Sequence, residues 1–533
     1  MATIRRALPF STATLGCVVL IAALSYLLYR LLGIGRRPAV LPPGPPTQAI
    51  WGNLRQCDSF FPHHQYTEWA SKYGPVYTMM QGGQPQVIVS GLAEAREIFV
   101  KQGARTQSRP PSRFKLLMRG GYFPSVMNGL KWQHARRMWH AVLNSSASSK
   151  YLPYQELESE QLLLDMLNKP HCWYDHLERY TNSVGMTMVN GYRITSSDDP
   201  IVKETIEDLY ELSRVGVRGN VLDLWPVLWK LPIYLLPICR EARELAEKHK
   251  RFIWRNYTAV KESVKQGTTL PSFNRTIQER LQSGWRGVSE IEGAEIGQHL
   301  LSGATDTTVS VLTTFVAAIC LFPGVQRKAQ EGSERLPQYE DTASLPYIQQ
   351  LILEAQRWIT SVPLCLPRVA NGTVRWGNYE ISEGTGLIIN AHAIHSDPGM
   401  YPEPHIFQPE RWEGKLDATR PDNQLLFTFG AGRRHCPGQH LAERSLFMVV
   451  SRWLWALDTS QAKDKDGNDI PINTKDLRPG VINRLKPFQA DIKPRSPERA
   501  TLIRQVWREN CEYLLDQKHQ WKLNPDINYK RVK

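Results

Sequence analysis

From Ala7 to Tyr29 the chain runs 23 residues without a charge, enough helix to cross the roughly 30 Å hydrocarbon core of a bilayer. A second long apolar stretch, Ile296 to Leu321, holds Asp306 as its one acid and predicts another long helix. Residues 155–260 read as helices, interrupted between Leu222 and Pro237 by an apolar run broken with Trp and Pro. Leu353–Arg357 is strongly helical, and from Gln439 onward Leu441, Ala442, Ser445, Leu446, Val449 and Val450 share one helical face. Shorter pieces fill 51–100: strands at Tyr73–Tyr77 and Gln86–Ser90, and a helix at Ala93–Val100. Near the end, Ile503, Val506, Trp507, Asn510, Tyr513 and Leu514 line up on one face of a short amphipathic helix. That helix is free to pack on the body, touch a membrane or stay mobile.

The first apolar run has two readings, a cleaved signal peptide and an uncleaved anchor. Its length, Tyr26 and Tyr29 at its far end, and Arg30, Arg36 and Arg37 beyond favour the anchor. Arg5 and Arg6 precede it, so the charge rule leans only slightly to a cytosolic body. Next, Leu41-Pro42-Pro43-Gly44-Pro45-Pro46 is stiff and fits neither a helix nor a central strand. The interrupted run at 222–237 is too short and broken to span a bilayer. It is either a buried connection or a patch dipping into the membrane interface.

Composition narrows the picture. The net charge is +14, with +5 in residues 1–37 and +3 in 497–533. The modest remainder shows no dense basic run interleaved with aromatics, so nucleic acid is excluded as the expected partner. Anionic lipid and an acidic protein fit better. The eight cysteines are scattered without CxxC spacing, which points to reduced thiols facing the cytosol rather than to disulfides or zinc. At 533 residues the length suggests two or three domains, yet no linker, repeat or low-complexity tract marks a boundary.

The densest chemistry lies in Phe429-Gly430-Ala431-Gly432-Arg433-Arg434-His435-Cys436-Pro437-Gly438. Three glycines and a proline force a tight loop that approaches another group closely. Cys436 then sits just ahead of a helix N-terminus, where the dipole and free N–H groups favour a thiolate. A thiolate so placed suits a haem iron's axial position, whereas a lone cysteine in such a turn is ordinarily structural. The full spacing Phe-x-x-Gly-x-Arg-x-Cys-x-Gly resembles the haem-binding signature of the cytochrome P450 family.

Further motifs follow in the family's order. Trp132 and Arg136 are one turn apart and match a Trp-x-x-x-Arg pair that reaches a haem propionate. Gly303-Ala304-Thr305-Asp306-Thr307-Thr308 is similar to the oxygen-handling run, with alanine where glycine is usual. Glu354 and Arg357, with Arg411 following in Phe407–Trp412, match the internal Glu-x-x-Arg pair and its later arginine. Arg368 falls where relatives carry a propionate ligand, and Thr360 and Ser382 stand where prolines are frequent, Thr360 on the pocket wall.

The resemblance spans Leu41 to Ser496 and implies one large, mainly α domain with small β-sheets behind an N-terminal transmembrane helix. The expected organisation is an anchor and basic flank (1–37), a proline hinge (38–50), a catalytic body (51–496) and a basic extension (497–533). It implies haem b on Cys436, with Phe429, Arg434, Gly438, Trp132, Arg136 and Arg368 around it, and proton delivery by Asp306 and Thr307. Glu354, Arg357 and Arg411 would form a structural network. The chain resembles microsomal fungal members acting in secondary metabolism. That implies a monooxygenase in the endoplasmic reticulum membrane, acting on a lipophilic terpenoid, polyketide or prenylated alkaloid with dioxygen. Electrons would come from NADPH through a flavoprotein, NADPH-cytochrome P450 reductase, with cytochrome b5 as a second donor. Arg136, Arg137 and Arg433 are the expected docking surface. Rival readings are a reductase-independent isomerase, dehydratase or peroxygenase, and a catalytically silent haem-binding membrane protein.

Overall fold

The computed structural model describes residues 12–119, 123–268, 270–284, 287–332 and 334–522. Its first helix, Thr12–Gly33, continues four residues past the uncharged run. From Gly16 to Gly33 it has mean hydropathy 1.8 and no buried residue, so it stands clear of the body. The start of the apolar run and Arg5 and Arg6 lie outside the described residues.

The proline segment is docked on the fold. Thr78 N–H donates to Pro43 O at 2.9 Å, and a Cβ on Gly44 would sit 2.1 Å from Thr78 O. Arg37 Nη1 adds a bond to Pro45 O at 3.1 Å. A glycine among prolines thus lets the chain lie flat against a strand.

That strand is β1 (Val76–Gln81), paired antiparallel with β2 (Gln84–Val89). Both begin a few residues away from the sequence expectation: Tyr73 closes the helix Pro62–Tyr73, and Gly74 at φ 95° caps it. The expected helix at Ala93–Val100 is present, as an α turn Leu92–Ala95 running into a π-helical stretch Arg96–Lys101. Later strands are β3 (Arg368–Val369), β4 (Val374–Trp376), β5 (Tyr379–Ile381) and β6 (Gly386–Ile389). The main sheet has the order β1-β2-β6-β3. β4–β5 is a hairpin, and β7 (Leu457–Gln461) pairs with β8 (Ala490–Pro494) near the C-terminus.

The larger core is helical. Leu152–Asn168, Trp173–Asn190, Glu290–Leu321, Pro346–Trp358 and Gln439–Ala456 bury Phe315, Leu351, Met448 and Trp453 in one cluster. The long helix starts six residues before its apolar stretch. Ser289 and Glu292 form a capping box that satisfies the first amides of a polar turn.

Above this core lie Pro200–Leu224 and Pro237–Lys265. The connection between them is not buried: Val227, Tyr234 and Leu235 are 62%, 80% and 55% exposed. At the C-terminus, Pro497–Leu514 packs on the body. Asn510 Nδ2 donates to Glu160 Oε2 at 2.8 Å, and Ile503 and Leu514 are buried. Tyr513, expected on the same face, points to solvent at 62% exposure. The last residues of this extension, 523–533, lie outside the described residues.

Candidate active site

Two glycines shape the loop before the helix Gln439–Ala456. Gly430 and Gly432 have φ of 73° and 53°, a region that side chains resist. A Cβ on Gly432 would also come within 2.2 Å of Phe99 O. The loop closes with Cys436 N–H donating to Phe429 O at 2.8 Å. Burial pushes the Cys436 thiol up, while the Gly438 N–H and the Arg136 charge pull it down.

Cys436 opens into a cavity of about 360 Å³. Phe429, Arg434 and Gly438 flank it on the loop side, and Gly303, Ala304, Thr307 and Thr308 of the long helix form the opposite wall. Thr307 Oγ1 donates to Gly303 O at 2.8 Å. Asp306 turns away, toward a separate cleft of about 50 Å³ lined by Glu178, Arg478 and Arg484. There Arg484 Nη1 donates to Asp306 Oδ1 at 2.9 Å, and the same guanidinium pairs with Glu178. The acid and the hydroxyl, adjacent in sequence, therefore face different cavities.

Four guanidiniums line the larger cavity: Arg109, Arg136, Arg368 and Arg434. Arg136 Nη1 donates to His435 O at 2.5 Å and Arg368 Nη2 to Ala431 O at 2.7 Å. Arg434 bonds Gln107 O and Met127 O, each at 2.7 Å, and lies over Trp132, 4.2 Å from the ring centre. Arg109 donates to Leu366 O and Pro367 O at 2.5 and 2.8 Å, while its buried Nε has no partner among the described residues. Among the described residues none of the four meets a carboxylate in an ion pair. Burial, then repulsion from Arg368 and Arg136, holds Arg434 down to about 9, and burial holds Arg368 to about 10. Buried positive charges of this kind require an anion, and a haem's two carboxylates beside a cysteine meet that requirement.

Comparison with known proteins agrees. The cytochrome P450 family model matches residues 42–490. The chain belongs to the cytochrome P450 family. It is 59% identical over 525 residues to the cytochrome P450 monooxygenase alnH of Emericella nidulans, covering 97% of this chain and 96% of that one. Identity is 36% to the monooxygenase virE of Hypocrea virens, over 94% of this chain and 93% of that one. For fogE of Aspergillus ruber it is 35%, over 96% and 98%. This P450 is accordingly a monooxygenase, an oxidoreductase whose family carries thiolate-ligated haem.

The P450's buried charge network lies beside the cavity. Arg357 Nε and Nη2 grip Glu354 Oε2 and Oε1 at 2.8 and 2.7 Å, both side chains being 1% exposed or less. Arg411 Nε lies 3.4 Å from Glu354 Oε1, within ion-pair range but without an aligned hydrogen bond. Its Nη2 donates instead to Glu403 O at 2.9 Å. Two further donors were not anticipated: Gln408 N–H to Oε1 at 3.0 Å and Trp412 Nε1 to Oε2 at 2.9 Å.

Thr360 belongs to this network rather than to the pocket wall. Phe427 N–H donates to His395 Nε2 at 2.9 Å, so Nδ1 carries the proton and donates to Thr360 Oγ1 at 2.8 Å. Thr360 passes its own proton to Arg357 O at 3.2 Å. Burial first, then Arg357, holds His395 neutral, down to about 3.

Two other placements differ from expectation. Arg136 faces the cavity, which leaves Arg137 and Arg433 as the solvent-facing members of the basic group. Arg109 was missed altogether. Its only local signal is Ser108-Arg109-Pro110-Pro111, an arginine held in extended backbone by a following proline.

Proposed function

We propose that this chain inserts one oxygen atom from dioxygen into a lipophilic secondary metabolite, such as a terpenoid, polyketide or prenylated alkaloid, using NADPH electrons delivered by a flavoprotein reductase. The observation that carries the reading is one cavity bounded by Cys436, by Thr307 and by four guanidiniums without carboxylate partners. Haem bound there would be held by the Cys436 thiolate and would supply dioxygen activation.

The chain's own residues do the rest. Arg109, Arg136, Arg368 and Arg434, with Trp132, would hold the haem carboxylates by charge-assisted bonds. Gly438 N–H stabilises the sulfur. Thr307 Oγ1 holds a proton at the cavity wall, and Asp306 resupplies it from the neighbouring cleft. Arg484 and Glu178 set how readily the Asp306 carboxylate is released toward Thr307.

The exposed helix Gly16–Gly33 and the apolar residues Val227, Leu231, Tyr234 and Leu235 support seating in the endoplasmic reticulum membrane, with the body cytosolic. Substrate would then enter from the bilayer, and Arg137 and Arg433 would offer charge to an acidic reductase face, with cytochrome b5 as a second donor.

The test pairs two measurements on membranes carrying wild type and Cys436→Ser. A thiolate-type carbon monoxide band in wild type, lost in the variant, supports the ligand assignment. Oxygenated product that requires both NADPH and reductase supports the rest. A band that survives Cys436→Ser, or product formed equally well from peroxide alone, would refute the corresponding half.

A further inference from the structure

Three histidines that line neither cavity meet beside the main sheet. His63 and His64 lie in the first turn of the helix Pro62–Tyr73, and His392 lies in the short helix Ala391–His395. One ring nitrogen from each lies within 4.8 Å of the other two. The ring centres are 4.2 Å apart for His63 and His64, 4.9 Å for His63 and His392, and 5.2 Å for His64 and His392.

The surrounding bonds orient these rings. Thr67 Oγ1 gives its proton to His63 O at 2.8 Å, so across the 3.0 Å contact His392 Nδ1–H must be the donor. His392 Nε2 therefore keeps a free lone pair. Asn483 Nδ2 donates to His63 Nε2 across 3.4 Å, which puts the ring's lone pair on Nε2 and its proton on Nδ1, so an ion would take the place of this long contact. His64 is exposed and gives ions and water a way in.

The neutral ring is the ligating form of histidine, and the surroundings of all three favour it. Burial and the neighbouring rings push His63 down to about 2 and His392 to about 4. His64 is lowered by burial and Lys475, against Asp58.

We propose that His63, His64 and His392 form a zinc-class metal site joining the helix Pro62–Tyr73 to the helix Ala391–His395. Three imidazoles without a carboxylate select zinc, copper, nickel or cobalt over magnesium or calcium. Zinc–nitrogen bonds of about 2.0–2.1 Å in a tetrahedron put ligand nitrogens roughly 3.4 Å apart. The spread of up to 4.8 Å exceeds this, so the rings, the exposed His64 first, would have to turn inward around the ion, with water completing the shell. An ion here would brace the short helix whose last residue, His395, supports Thr360 and Phe427.

The experiment uses tag-free, haem-loaded full chain in detergent, titrated calorimetrically with zinc chloride and, separately, with magnesium chloride. Wild type should bind one zinc and no magnesium. His64→Ala and His392→Ala should each weaken zinc binding about tenfold or more, with the carbon monoxide spectrum unchanged as the control for folding. His64 is exposed, so its variant tests the site without threatening the core. Absence of zinc binding, equal binding of magnesium, or wild-type zinc affinity in both variants would overturn the proposal.

Discussion

Replacing Glu354 by Gln keeps shape and removes charge at the most heavily bonded buried carboxylate near the site. Glu354 accepts from Arg357 Nε and Nη2, Gln408 N and Trp412 Nε1. Each oxygen receives two of these donors, so the amide nitrogen of Gln must face two N–H groups whichever way it turns. Two hydrogen bonds become donor–donor clashes, and Arg357 and Arg411 lose their counter-charge. Hydrogen bonds involving a charged group contribute about 1.5–3 kcal/mol each. Unpairing a buried ion costs about 3–5 kcal/mol in all. These describe overlapping losses, so about 4 kcal/mol is expected, close to a thousandfold in the folded-to-unfolded ratio. Trp412→Phe removes one donor and leaves Arg357 in place, so it should cost about 1–2 kcal/mol. Urea titration followed by loss of the haem band, with haem content per chain measured alongside, ranks the two. A Glu354→Gln protein within about 1 kcal/mol of wild type and full of haem would refute the account of the network.

Gly432→Ala should abolish haem retention, because the new Cβ meets Phe99 O at 2.2 Å on a backbone of φ 53°; the carbon monoxide spectrum reports it. Glu295, pushed up to about 7 by burial and then by Glu292, binds its proton more tightly when folded than unfolded. Its stabilising contribution is whole below its ordinary value near 4.5 and fades as pH rises through 7. Glu295→Gln should therefore raise the melting midpoint at pH 8, by the equivalent of about 1–3 kcal/mol after discounting for its partial exposure, and do little at pH 5. Arg484→Gln strips the counter-charge from Asp306 and leaves Glu178 only Arg478, so product formed per dioxygen consumed should change severalfold with the carbon monoxide spectrum intact. Unchanged coupling would remove Arg484 from proton delivery.

The parts legible in the sequence are those whose constraints are local. Phe429–Gly438 reveals itself because close approach and positive φ at Gly430 and Gly432 can be met by little but glycine. Glu354 and Arg357 are legible because one helical turn brings them together. Arg109, Trp412 and His395 take their meaning from partners far along the chain. Arg109 bonds carbonyls 257 and 258 residues away, and no short pattern encodes such a meeting. The long helix begins six residues before its apolar stretch for a different reason: its first turn is polar, and only Ser289-x-x-Glu292 marks the true start. By analogy with a proline, Thr360 reads as part of the pocket wall. Its hydroxyl instead answers to His395, a contact that only the folded chain creates.

The arrangement of charge explains why the fold and its cofactor belong together. Arg109, Arg136, Arg368 and Arg434 are fixed by main-chain carbonyls, which orient a guanidinium without neutralising it. A carboxylate side chain in the same place would satisfy them and would also fill the cavity. By holding them with dipoles alone, the chain keeps four donors aimed at one space, and their mutual repulsion is relieved only by an anion placed there. Glu354, by contrast, is saturated by its own neighbours and binds nothing else. Arginine thus takes two arrangements in this fold, paired where the acid is built in and open to an anion where it is left out.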